Sequence, residues 1–226
     1  EQDILANFEQ KQDTLTALVY SFLGESYYTG IGEIDKGITY YKKELALREK
    51  IQQPEDYERT QILSNIATAS DEMGLFQESE ALYMEVLAGE EKKFGKKSEE
   101  YLYSVLSLGS HYVFSSEADK GIALLKENEK NFKKDFEGYP RFLITFGQLY
   151  RDQGSSKRAI RYLENSLDAF EDLGLVPSFE YAAALNEIHN VQSDLGKFPE
   201  AEETLKSALQ MLDKMEGDLS DVTSVF

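Results

Sequence analysis

A short turn recurs along this chain, and its spacing limits what the chain can become. Five segments look alike: Tyr27 to Ile34, Ser70 to Phe76, Tyr112 to Ala118, Tyr150 to Ser156 and Gln192 to Phe198. Their centres are Gly32, Gly74, Ser116, Gly154 and Gly196, spaced 42, 42, 38 and 42 residues apart. Self-similarity at such a period marks a repeat architecture, in which each copy is one supersecondary unit that buries its apolar face against its neighbours. Eight residues before the centre stands a large apolar side chain, Ile66, Leu108, Phe146 or Ile188. The next residue is small in Ala67, Gly109 and Gly147, with His189 the exception, and one extra residue in the first copy shifts the pair to Leu23 and Gly24. Five residues after the centre comes Gly37, Ser79, Gly121, Ala159 or Ala201, and nine after it Tyr41, Tyr83, Leu125, Leu163 or Leu205. Large and small positions at fixed offsets describe two helices in close contact, with the central Gly a left-handed cap ending the first.

The flanks carry helical period. Ile62, Leu63, Ile66, Ala67 and Ser70 recur at three and four residues. Pro54, Pro140 and Pro177 each precede a first helix, and Pro199 falls in the first turn of a second, where a missing N–H costs nothing. Long alternating stretches are absent, so no strand is expected. The chain reads as all-α: antiparallel helix pairs stacked in a solenoid of about five repeats, at 13–53, 54–95, 96–137, 138–175 and 176–216. First helices are expected near 13–29, 55–73, 97–115, 139–153 and 177–195, second helices near 33–52, 76–94, 117–136, 156–173 and 198–216. Residues 1–12, with Ile4, Leu5 and Phe8 at helical spacing, read as the end of a preceding helix, and 217–226 as the lead-in to a further repeat. The chain is thus expected to be a fragment of a longer array.

Composition narrows the chemistry. With 42 acidic against 24 basic residues the formal charge is −18, which repels phosphate and argues against nucleic acid. No apolar run approaches the roughly 18 residues of a membrane span. There is no Cys, hence no thiolate metal site and no thiol nucleophile. No Asn-x-Ser/Thr sequon occurs, which favours a cytoplasmic location.

The residues Leu23-Gly24-x-x-Tyr27 and Gly32-x-Ile34-x-x-Gly37-x-x-x-Tyr41 resemble the tetratricopeptide repeat. So do Phe146-Gly147-x-x-Tyr150-x-x-x-Gly154 with Ala159 and Leu163, and Gly196-Lys197-Phe198-Pro199-Glu200-Ala201 with Leu205, Ala208 and Leu209. The 42-residue period is similar to the variant found in kinesin light chains and many bacterial multidomain proteins. The third copy departs: Ser116 replaces the turn Gly, Asn128 and Glu129 replace apolar positions, and a kink around 116–140 is expected. The resemblance implies a right-handed superhelix and a non-catalytic scaffold, without cofactor, whose first helices line a groove for a peptide or partner protein. Alternatives are a regulatory array of a larger enzyme, such as the CHAT-type proteases, or a peptide-pheromone sensor.

On that pattern the groove-facing residues include Tyr28, Gln61, Ser64, Thr68, Asp71, Tyr103, Ser110, Arg141, Gln148, Arg151, Asn186 and Asn190. Co-chaperones of the family clamp a carboxylate with Lys, Arg and Asn, whereas the first three copies here offer Ser, Thr, Glu and Leu. Residues 141–163 form a basic island, Arg141, Arg151, Lys157, Arg158 and Arg161 against Asp152 alone. Arg141 and Arg151 are therefore candidates for an acidic partner segment, with pairing to neighbouring repeats as the plainer alternative. Asn186 and Asn190, one turn apart, are candidates for holding a peptide backbone, and Tyr28, Tyr103 and Phe114 are either aromatic anchors or core. His111 and His189 have no second His or well-placed acid at metal-ligand spacing and read as packed histidines. Gly30-x-Gly32 lacks the third Gly of a phosphate loop and reads as a turn. No nucleophile elbow, HExxH or Walker motif is present, so neither catalytic nor metal-binding residues are expected.

Overall fold

The computed structural model describes residues 2–51 and 56–223. Ten α-helices run there: α1 (Gln2–Glu25), α2 (Ile34–Lys50), α3 (Asp56–Glu72), α4 (Phe76–Phe94), α5 (Glu99–Phe114), α6 (Ala118–Asn128), α7 (Tyr139–Asp152), α8 (Ser156–Asp172), α9 (Phe179–Asp194) and α10 (Phe198–Thr223). No strand occurs among the described residues. The chain divides into two compact units, Glu1–Ser115 with α1 to α5 and Ser116–Phe226 with α6 to α10. Within each unit every helix packs on the next, the nearest-neighbour order of an all-α repeat solenoid.

The turn centres explain that order. Gly32, Gly74, Gly154 and Gly196 have φ of 77, 72, 77 and 73°, and Ser116, at 58°, is the one non-Gly residue with positive φ among the described residues. The left-handed residue lets the chain reverse while satisfying the last carbonyls of the helix. Gly154 N–H donates to Arg151 O at 2.8 Å and Ser155 N–H to Tyr150 O at 2.7 Å, and the same pair recurs at Gly74 and Gly196. In the first copy the extra residue has a physical outlet. Helix α1 ends at Glu25 rather than 29 and widens into a π-helical turn, Ser26–Ile31, whose capping residue Gly32 donates to Tyr27 O. One inserted residue becomes one wider turn, and the register of α2 is kept.

Other boundaries move for local reasons. Helix α1 is continuous from Gln2, so residues 2–12 belong to the helix of the first repeat and not to a separate one before it. Helix α10 likewise runs through Gly217 to Thr223, and no new first helix opens at 217. The expected second helix at 117–136 stops as an α-helix at Asn128 and tightens into a 3₁₀ turn, Glu129–Asn131. Asn128 is buried there with its side-chain amide donated back to Leu124 O, the helix-competing bond such residues make. Pro140 and Pro199 lie in the first turns of α7 and α10, whereas Pro177 lies ahead of α9, which is capped by the Ser178 hydroxyl accepting from Tyr181 N–H at 3.2 Å. Pro54 and the side chains of Ile4, Leu5 and Phe8 lie outside the described residues.

Each unit fills its interior differently. In the first, Ile38, Tyr41, Ile62, Ile66 and Ala69 form one buried cluster, against which Tyr28 and Leu82 pack. Gly24 is required: a Cβ there would fall 2.6 Å from the Tyr41 ring. In the second unit, rings run in a ladder. Phe132 stacks on Phe142 at 4.2 Å between centroids, Phe142 meets Phe146 edge-on at 5.0 Å, and Phe146 and Tyr150 stack on Tyr162 at 4.8 and 5.4 Å.

Candidate functional site

Helices α3 and α5 are the first helices of two successive repeats within the first unit, and they touch. Between them and the end of α4 opens a pocket of about 440 Å³ lined by Thr60, Gln61, Ser64, Val86, Glu90, Glu99, Glu100, Tyr103, Ser104 and Ser107. Helical spacing assembles it. Gln61 and Ser64 are three apart on α3, and Glu99, Tyr103 and Ser107 follow at intervals of four on α5. The start of α5 is fixed by Ser98, whose hydroxyl accepts from Tyr101 N–H at 3.2 Å. Glu99 and Glu100 then occupy the first turn, where the positive end of the helix favours acidic side chains. Tyr103, 40% exposed, is the aromatic of the rim.

Glu90 is a different matter. It is 4% exposed, accepts from the Thr60 hydroxyl at 2.5 Å through Oε1, and its Oε2 has no hydrogen-bond partner among the described residues. Gly89 lets the two helices come this close; a Cβ there would lie 3.3 Å from Thr60 Cγ2. Sixteen residues after the turn centre stand Arg48, Glu90, Phe132 and Phe170, and all four are buried. Arg48 holds Glu44 at 2.9 Å, while the third and fourth repeats carry an aromatic ring at the position and the fifth carries Leu212. Glu90 alone puts a carboxylate there without a cation among the described residues.

Of the residues expected in the groove, Gln61, Ser64 and Tyr103 are thus brought together in one pocket. Thr68 lies farther along α3, donating to Ser64 O at 3.0 Å and meeting Tyr83 Oη at 3.0 Å. Ser110 is half-buried on α5. Tyr28 stands in the π-turn and donates to Glu72 at 2.5 Å; burial and that bond push its phenol well above the usual tyrosine range. Asp71, expected in the groove, is buried instead. His111 Nδ1 lies 2.7 Å from Asp71 Oδ1 and 3.2 Å from Ser79 Oγ, and Ser79 Oγ also donates to Asp71. This triplet ties α3, α4 and α5 together and is buried, as expected of a packed His111 but with an acidic partner forty residues away that spacing did not suggest.

In the second unit two of the expected residues, Arg151 and Gln148, bond to the neighbouring first helix. Arg151 Nε donates to Asp194 at 2.7 Å and Gln148 Nε2 to Glu187 at 2.9 Å, so α7 is laced to α9. The bond to Asp194 raises the Arg151 guanidinium further above its ordinary value. Arg141 and Asn186 are exposed, and Asn190 is half-buried. His189 sits half-buried with Nδ1 3.0 Å from Ala201 O on α10. Phe114 is 63% exposed, not core.

Glu90 and its surroundings are what the sequence pattern missed. The signal was its place in the repeat frame, where an acidic residue stands at a position that is Phe or Leu in the three later copies.

Residues 59–100 match the tetratricopeptide repeat family model, a span running from beside Thr60 to Glu100 of the pocket. No curated protein matches the chain. Among solved structures, kinesin-light-chain TPR-like repeats of Podosopora anserina are 18% identical with a TM-score of 0.68, covering 88% of this chain and 95% of that one. BtubC (BKLC) of P. vanneervenii is 15% identical with a TM-score of 0.66, over 94% and 92%. The Rap conjugation gene regulator of the plasmid pLS20, in complex with a Phr peptide, is 16% identical with a TM-score of 0.72, over 87% of this chain and 53% of that one. No helix among the described residues is long and apolar enough to cross a membrane. With five left-handed turn centres at repeat spacing and ten helices that pack in order within their units, the chain has the all-α repeat-solenoid fold of these structures, and its residues 59–100 are similar to the tetratricopeptide repeat.

Proposed function

We propose that the chain is a non-catalytic protein-interaction scaffold that takes a peptide or a segment of a partner protein along the first helices of its first unit. The observation that carries this is the open pocket between α3 and α5, where Gln61, Ser64, Tyr103 and Ser107 are presented on a rigid helical frame. Pre-set polar groups beside one exposed aromatic ring hold an extended chain at little ordering cost. The fold likeness to a Rap regulator solved with its peptide supports a peptide ligand. An acidic segment at the fourth repeat would have to displace Asp194 from Arg151, leaving exposed Arg141 as the open contact there.

Selection of displayed random dodecapeptides against the whole chain tests the reading. Binders are expected to emerge and to weaken about tenfold on Tyr103→Ala, an exposed rim position. Failure to enrich any binder, or binders indifferent to Tyr103→Ala and Gln61→Ala, rejects the α3–α5 groove as the binding surface.

A further inference from the structure

We infer that the α3–α5 pocket is a receptor for a cationic side chain, so that the segment bound there carries a Lys or Arg which enters between Glu99 and Glu100 and reaches Glu90. The inference rests on the groove reading above and names the chemistry of its ligand. Its starting point is the floor. A carboxylate 4% exposed keeps one oxygen on the Thr60 hydroxyl and leaves the other without a partner, in the wall of an open pocket. Buried carboxylates without a counter-charge are costly, and proteins keep them paired. The first repeat obeys that rule at the same position, where Arg48 is held by Glu44. The third and fourth avoid the problem with Phe132 and Phe170. Among the described residues nothing supplies the missing partner of Glu90, and a bound segment would supply it.

The walls agree with the floor. Among the described residues three carboxylates line the pocket and no Lys, Arg or His does. The helix end explains Glu99 and Glu100 by themselves, but it does not explain Glu90, which belongs to α4 and faces the same space. Tyr103 offers a ring edge or face for the aliphatic stem of a long basic side chain, whose head then meets the carboxylates. Gln61, Ser64 and Ser107 supply neutral donors and acceptors for the main chain on either side. A small inorganic cation would use none of these, which is why a basic side chain on a protein segment fits better. The chain's overall charge of −18 adds attraction for such a segment at a distance.

Peptides enriched by display on the whole chain give the test. Enriched sequences are expected to share a Lys or Arg, and replacing it by norleucine or citrulline should weaken binding by about tenfold or more. Glu99→Lys with Glu100→Lys, at two exposed positions, should weaken the same peptides at least as much, and peptides with Glu at the basic position should bind that variant better than the parent. Glu90→Gln keeps the Thr60 bond and the shape, and should cost a few-fold in affinity with an unchanged circular dichroism spectrum. If enriched peptides lack a shared basic residue, or bind equally well after the charge reversal, the inference falls while the scaffold reading stands. If calcium or magnesium chloride alone binds the chain and is lost with Glu90→Gln, the pocket is a metal site and the inference falls. If no peptide binds at all, both readings fall together.

Discussion

In the first unit a buried hydrogen-bonded triplet, Asp71, Ser79 and His111, stands beside the apolar cluster, while in the second Phe132, Phe142, Phe146, Tyr150 and Tyr162 fill the interior with packed rings. The two solutions occupy the same kind of helix interface and fail in different ways. A ring ladder stabilises through apolar area and shape, so truncation opens a void. A buried polar triplet contributes little net energy while intact, but removing one member leaves the others unpaired. The grooves differ in the same sense. Unit one leaves carboxylates open beside Tyr103, whereas unit two satisfies Arg151 and Gln148 internally through Asp194 and Glu187.

The largest expected effect is in the ladder. Phe146 is fully buried between Phe142 and Tyr162, and Phe146→Ala should cost about 3–5 kcal/mol in urea unfolding. Hydrogen exchange should place the loss in α7 and α8, because repeats are stabilised by their neighbours. Equal loss of protection in α3 and α4 would break the distinction between the units. Next comes the triplet: Asp71→Ala should cost about 2–3 kcal/mol. Replacing Asp71, Ser79 and His111 together by Leu, Ala and Phe should recover most of it. No recovery would mean the triplet is needed for packing as well as pairing.

A smaller effect separates two copies of one position. Ala67 already fills in the second repeat the site that Gly147 holds in the fourth. A Cβ at Gly147 would lie 2.5 Å from Leu163 Cγ. Gly147→Ala should therefore cost about 1–3 kcal/mol through overpacking, visible as a lower urea midpoint with an unchanged slope. Ser116→Gly acts in the other direction. Ser116 holds φ of 58° where the other four centres are Gly, and the change should stabilise by about 0.5–1 kcal/mol, less whatever the more flexible unfolded chain takes back.

These positions also show what could be read in advance. The five turn centres are visible because a left-handed residue narrows the choice of side chain, and even Ser116 kept its place in the spacing. The extra residue of the first copy was visible as a displaced pair, though not the π-turn that absorbs it, since insertion and bulge look alike until the hydrogen bonds are known. Gln61, Ser64 and Tyr103 were legible from helical period. Asp71 and Glu90 were not. Both sit on faces that a period assigns to the surface or the core by residue type, and an acid at a core position is read as surface unless its buried partner, His111 or Thr60, is known.

Arg151 gives the smallest effect and the sharpest test of the two grooves. Its guanidinium is about one-third exposed and Asp194 more so, and exposed pairs contribute about 0–1 kcal/mol once solvent and salt screen them. Arg151→Ala should lower stability by about 0.5 kcal/mol or less, and by less still at high salt. The informative quantity is the difference between grooves. If Arg151 serves to lace α7 to α9, charge reversal to Glu should set it against Asp194 and Glu187 and raise exchange in α9, without altering peptides bound at Tyr103. If instead Arg151→Glu abolishes binding of an acidic peptide and leaves α9 protected, the second unit carries an open site of its own, and the contrast drawn from its closed side chains is wrong.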